Sequence, residues 1–132
     1  MHSLSSAQHG LQCVVERLAG AHDRVQLGRI GQVVAADIDR LAPKYDAVNV
    51  KIDKTGGFTE GLKSIKMAKA AGLKTMMGCM VGTSLVTAPA VILANLVDWV
   101  DLDGPLFMAK DREFGLEIHN GIIQPPKEQL WG

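Results

Sequence analysis

Only 5% of the 132 residues are aromatic and 21% are charged, and 14 Lys and Arg are balanced by 14 Asp and Glu. A chain with no net positive charge lacks the electrostatic footprint of a nucleic-acid binder, so that class of partner is excluded. Cysteine is scarce too. Cys13 and Cys79 lie far apart with no CxxC spacing, which argues against a disulfide framework, a zinc site or a redox pair. Long apolar runs are missing: the longest, Ser84 to Trp99, is broken by Thr87, Asn95 and Asp98 and falls short of the ~18–20 apolar residues of a membrane span. It reads as a buried helix, and no membrane partner is expected. Met1 is followed by His2 and Ser3 rather than by a basic region leading into an apolar stretch, so no export signal is visible and the cytoplasm is the expected location.

What is present is 47% apolar, with 14 Gly, enough for a packed core. From Ala36 onward, short β-branched runs alternate with stretches of helical period, the punctuation of an α/β fold. Ala36 to Leu41 predicts a helix stopped by Pro43. Tyr45 to Asp53 alternates Val48, Val50 and Ile52 with Asn49, Lys51 and Asp53, predicting a strand with one apolar and one polar face. Thr55-Gly56-Gly57 is a turn into a helix that Thr59 would cap and Gly72 would end. Strand, turn and helix then repeat: a strand over Lys74 to Gly78, a helix over Thr87 to Val97 with Pro89 in its first turn, and a strand over Trp99 to Asp103 closed by Gly104-Pro105. Steps of roughly 25 residues from strand to strand suit parallel crossovers. Later, Asn120-Gly121 between apolar pairs predicts a type I′ hairpin. Leu11, Val14, Val15 and Leu18 fit a helical face from about Gly10 to Ala19, whereas the stretch from Asp23 to Gln32 predicts neither helix nor strand.

Several residues could carry chemistry. Lys51 sits on the polar face of an apolar strand; if that face points into a closed barrel, desolvation favours the neutral amine and makes it a general base. Otherwise it is an ordinary lysine meeting solvent. Asp101 and Asp103, two apart on a strand, would present both carboxylates on one face to grip a metal or a substrate ammonium, or would simply cap the next turn. Thr55 to Gly57 could cradle a phosphate on backbone N–H groups, although no P-loop Lys follows. Cys79, in Gly78-Cys79-Met80-Val81-Gly82, has no histidine close by in sequence, so it and Met80 read as lining a pocket rather than as a nucleophile and its neighbour.

Taken in order, VNVKIDKTGG (Val48 to Gly57), GCMVGTS (Gly78 to Ser84) and DLDGP (Asp101 to Pro105) resemble the last strand ends of an enolase-superfamily barrel, and within it the dipeptide epimerases of the muconate-lactonizing subgroup. The resemblance runs from about Ala36 to the C-terminus. It implies a partial TIM (β/α) barrel, approximately the sixth to eighth βα units over residues 34–106, and a tail over residues 107–132 that would join a capping domain. Lys51 matches the family's acid/base lysine, and Asp101 and Asp103 match the pair that holds a dipeptide's α-ammonium, with Cys79 and Met80 beside the substrate. The implied reaction is α-proton transfer through an enolate stabilised by Mg²⁺. The Mg²⁺ ligands and the second lysine of the family are not found before Ala36, so the isolated chain is expected to be an inactive, self-associating C-terminal fragment.

Other activities on the same scaffold stay open: N-succinylamino acid racemase, o-succinylbenzoate synthase and muconate cycloisomerase. A non-catalytic module binding a phosphorylated ligand at Thr55 to Gly57 is the alternative from another class. Residues 1–33 carry no structural assignment. Gly28-Arg29-Ile30-Gly31 stands where the family has Ala-Asp-Glu-Ser, as a shifted reading frame or a diverged N-terminus would leave it.

Overall fold

The computed structural model describes Leu11–Gln12 and residues 34–132. At its centre three parallel strands lie side by side in the order β2 (Ala47–Lys51), β3 (Lys74–Gly78), β4 (Trp99–Asp101). Helices α3 (Phe58–Ala70) and α4 (Ser84–Ala94) make the two crossovers, and α1 (Ile38–Leu41) precedes the sheet. Val48 and Val50 on β2, Met77 on β3 and Val100 on β4 are buried with Ile65 and Ala68 of α3 and Val91, Leu93 and Ala94 of α4. Each buried Val, Leu, Ile or Met among these stabilises the fold by roughly 1.5–3 kcal/mol, the alanines by less. The strands' other side chains, Asn49 and Lys51, Met76 and Gly78, Trp99 and Asp101, therefore point to the opposite face.

From Ala36 onward the expected elements occur, with bounds moved by local geometry. β2 ends at Lys51 instead of running to Asp53, because α2 (Ile52–Thr55) begins at once and takes Asp53 off the polar face. Gly56 at φ 97° and Gly57 at φ 105° turn the chain from α2 into α3, so Gly57 rather than Thr59 is the N-cap. α3 closes as the glycine signal predicts: Gly72 has φ 77°, its N–H donates to the Lys69 carbonyl and that of Leu73 to the Ala68 carbonyl, a Schellman end. α4 starts at Ser84, three residues before the predicted Thr87, leaving Pro89 in the helix interior. The reason lies in the tail. Asp111 accepts the Ser84 N–H at 2.8 Å and the Ser84 hydroxyl, and the same hydroxyl oxygen accepts the Leu116 N–H at 2.7 Å. The N-cap Thr83 makes no side-chain cap, and Asp111, 27 residues away, caps the start instead.

The tail forms the predicted hairpin, β5 (Ile118–His119) and β6 (Ile122–Ile123), with Asn120 at φ 51° and Gly121 at φ 73° as a type I′ turn requires. Ile123 belongs to the same core as the parallel sheet. β1 (Leu11–Gln12) pairs antiparallel with β6, so these two residues are strand, not the helix expected there; the remainder of that expected helix, and Cys13, lie outside the described residues. No helix is long and apolar enough to cross a membrane among the described residues.

At the other end of the sheet Asp98, just before β4, accepts the Thr75 N–H at 2.9 Å and hydroxyl at 3.2 Å and the Lys74 ammonium at 2.8 Å. Burial alone would raise its carboxyl, but these three donors outweigh it and hold the group below its ordinary value. A lowered carboxylate contributes stability that is present above its unfolded pKa and lost as pH falls through its folded one. Asp98→Ala should cost about 1–3 kcal/mol at neutral pH, with the gap to the wild type closing in acid; urea unfolding at several pH values measures both. β2 and β4 each have one edge without a strand partner among the described residues, and Val81, Leu106 and Phe107 are about two-thirds exposed. Unpaired edges beside apolar surface favour association, so light scattering on the isolated chain should give a mass that rises with concentration; a monomer at all concentrations would contradict this.

Candidate active site at the strand ends

Parallel pairing sets Lys51 opposite Gly78, and Gly78 opposite Asp101, one row across the C-terminal ends of three strands. All three belong to the face away from the helices. The row works because its middle member has no side chain. A Cβ on Gly78 would lie 2.7 Å from Asn49 Oδ1 and 3.2 Å from Lys51 Cε, so the lysine stem occupies the space the glycine leaves. Lys51 Nζ donates to Met80 Sδ at 3.7 Å, a weak acceptor.

Asp103 reaches the same site by another route. β4 ends at Asp101, and Asp103 has helical dihedrals at the head of a 3-10 turn over Gly104–Phe107, so the expected strand alternation does not place it. The turn itself is pressed against the loop after β3. A Cβ on Gly104 would lie 2.4 Å from the Met80 carbonyl oxygen, and the Gly104 N–H donates to Cys79 Sγ at 3.3 Å. Only glycine permits that approach. The tight contact brings Cys79, Met80, Asp101 and Asp103 together with Lys51.

The electrostatics follow from this crowding. Burial, and then the neighbouring Asp103 charge, push the Asp101 carboxyl above its ordinary value, while Lys51 pulls the other way. Asp101 Oδ1 is buried without a hydrogen-bond partner among the described residues. Burial also raises the Cys79 thiol; the Gly104 N–H and Lys51 oppose this and Asp103 and Asp101 add to it. A thiol kept protonated is a poor nucleophile, in keeping with its reading as lining. Two carboxylates with one unpaired buried oxygen can take up a cation, and the amine on the facing strand can move a proton.

The phosphate cradle imagined at Thr55 to Gly57 does not form. The Thr55 hydroxyl and the N–H groups of Gly56 and Gly57 all turn to one acceptor, the Ile52 carbonyl, at 3.3 Å for the hydroxyl and 3.0 Å for Gly57. Those donors are spent inside the turn. What sequence reasoning missed are the two clearance glycines, Gly78 and Gly104. Both were visible inside the strand-end motifs, but only the register and the loop packing reveal what they make room for.

Residues 14–129 match the enolase C-terminal domain-like family. The chain belongs to that family. The match reaches back to residue 14, well upstream of Ala36, where the resemblance by motif begins. Among family members the chain is similar to the N-acetyl-D-glutamate racemase of a Pseudoalteromonas species, 44% identical over 96 residues that make up 73% of this chain and 30% of the relative. The L-Ala-D/L-Glu epimerase of Escherichia coli (strain K12) is 41% identical over 88 residues, 67% of this chain and 27% of that enzyme. Among solved structures, an enolase family member from Agrobacterium tumefaciens with homology to dipeptide epimerases, bound to sodium and L-Ala-L-Glu, superimposes with a TM-score of 0.72 at 45% identity, over 75% of this chain and 30% of that one. A dipeptide epimerase from Methylococcus capsulatus complexed with Mg and L-Arg-D-Lys gives 0.62 at 29% identity, over 70% and 28%. The described α/β unit thus corresponds to the C-terminal region of an enolase-family barrel, and the chain spans about 30% of the length of these relatives.

A carboxyl raised on folding leaves the folded protein with more bound protons than the unfolded one; its contribution is intact below the unfolded pKa and lost as pH rises through the folded one. Asp101→Asn should therefore raise the melting temperature at neutral pH, with the gain vanishing in acid, opposite in sign to Asp98. Melts at both pH values check it.

Proposed function

We propose that this chain supplies the substrate-facing ends of approximately the sixth, seventh and eighth strands to a barrel that moves the α-proton of an amino-acid residue in a dipeptide. Lys51 is the acid/base on one face of the α-carbon. Asp101 and Asp103 hold the substrate's α-ammonium, and Cys79 and Met80 line the pocket between them. On this reading residues 34–106 are the barrel portion and residues 107–132 the tail, with residues 1–33 left unassigned. One observation carries the reading: Lys51 and Asp101 lie in one row on either side of Gly78, with Asp103 close enough to raise Asp101 and both carboxylates close enough to raise Cys79.

The chemistry suits these groups. Removing an α-proton needs an amine held near the carbon, and a substrate cation beside two carboxylates lowers the cost of burying them. A Mg²⁺ ion, which the family implies, would supply stabilisation of the negative charge that develops when the α-proton leaves. Among the described residues no group of three or more His, Cys, Asp or Glu is arranged to hold a metal ion; the chemistry assigned to this chain is that of its lysine and its two carboxylates.

A second reading rests on the 44% identical relative named N-acetyl-D-glutamate racemase, whose substrate carries an acylated nitrogen and no ammonium. The carboxylate pair favours the dipeptide.

A chimaera in which residues 36–132 replace the corresponding part of the Escherichia coli epimerase tests both. It should exchange the α-proton of L-Ala-L-Glu in D₂O, whereas the 132-residue chain alone should not. Lys51→Ala should lower the exchange rate by ~10²–10⁴-fold. Asp101→Asn and Asp103→Asn should raise KM for the dipeptide. An undiminished rate in Lys51→Ala would overturn the acid/base role, and preferential racemisation of N-acetylglutamate would favour the second reading.

A further inference from the structure

Asn49 lies on the same face of β2 as Lys51, one step further into the sheet, and pairs across to Met76. Its carboxamide leans over Gly78: the point where a Cβ of Gly78 would stand is 2.7 Å from Asn49 Oδ1, 3.1 Å from Asn49 Nδ2 and 3.2 Å from Lys51 Cε. Two polar side chains thus share the floor that one glycine leaves bare. Asn49 Oδ1 is buried and accepts no hydrogen bond from the described residues. A buried carbonyl oxygen left without a donor costs free energy, so such an oxygen is kept where a donor can reach it. The mobile donor beside it is the Lys51 ammonium, one bond beyond the Cε that packs on the same floor. In the structure that ammonium rests on the Met80 thioether, an acceptor too weak to hold a four-carbon side chain in one rotamer.

We propose that Asn49 is a positioning residue for Lys51: its carboxamide oxygen is a second resting acceptor for the ammonium, on a wall cleared by Gly78. The importance of this to catalysis rests on the acid/base role proposed for Lys51. Met80 is half-exposed at the rim, so a substrate entering there displaces the thioether contact and leaves the Asn49 oxygen as the group that keeps the amine in place. Gly78 is required for the same reason, because any side chain there would occupy the position of both.

The test reads Lys51 itself on the full 132-residue chain. Acetic anhydride at limiting dose and mass spectrometric mapping give the acylation rate of Lys51, with the other lysines as internal references. Asn49→Leu keeps the volume and removes the acceptor, and should raise the relative Lys51 rate about fivefold. Asn49→Asp restores an acceptor of the same reach and should hold the rate at or below the wild-type value. A structural filler role predicts the reverse pattern, with Leu tolerated and Asp disruptive. Equal Lys51 rates in wild type and Asn49→Leu overturn the proposal; if Asn49→Leu does not fold, by circular dichroism, an Asn49→Asp chain with a faster Lys51 overturns it instead. Because the readout is acylation and not epimerisation, its failure leaves the proton-transfer role of Lys51 to be judged by the chimaera alone.

Discussion

The register of three parallel strands is the constraint from which the site follows. Backbone pairing sets Lys51 level with Gly78 and Gly78 level with Asp101, while Val48, Val50, Met77 and Val100 lock the opposite face against α3 and α4. A slip of one residue in β2 would exchange those faces, burying Lys51 in the helix layer and turning Val50 to the site. The apolar core thus acts as a positioning device for a polar row it never touches.

Glycine does the second part of the work. Gly78 leaves a floor over which Lys51 and Asn49 lie, and Gly104 lets the 3-10 turn after β4 approach the Met80 carbonyl closely enough for its N–H to reach Cys79. Without that approach Asp103 would have no reason to face the site, since the strand ends two residues before it. The result is a cluster in which burial and like charge raise Asp101 and Cys79 together. Such a cluster is costly for the fold and suited to a cationic substrate, the trade expected where function sits on a stable scaffold.

The remaining long-range device is the tail. Asp111 and Ser84 join the segment after β4 to the start of α4, and a Cβ on Gly115 would lie 2.8 Å from Asp111 Oδ2 and 3.0 Å from Ser84 Oγ. That junction places the loop bearing Cys79 and Met80, because the same loop runs directly into Ser84.

Much of this was legible in the residues alone. Alternation in β2, the Gly72 stop, the Asn120-Gly121 turn and the order of three strand-end motifs are local signals, and each is enforced by backbone geometry within a few residues. Lys51, Cys79, Met80, Asp101 and Asp103 could be named from those motifs, and the fold gathers them. Other features were not visible in the periodicity, one because it rests on a distant contact and two because turn geometry within a few residues overrides the pattern. The start of α4 depends on a carboxylate 27 residues downstream, the end of β2 on a helix that begins at Ile52, and the occupation of the Thr55 to Gly57 donors on a carbonyl inside the turn. Local sequence determines which conformations a segment prefers and which side chains share a face. Which of those side chains meet, and which glycine must make room for them, is decided by packing between segments, because close approach is a property of pairs distant in sequence.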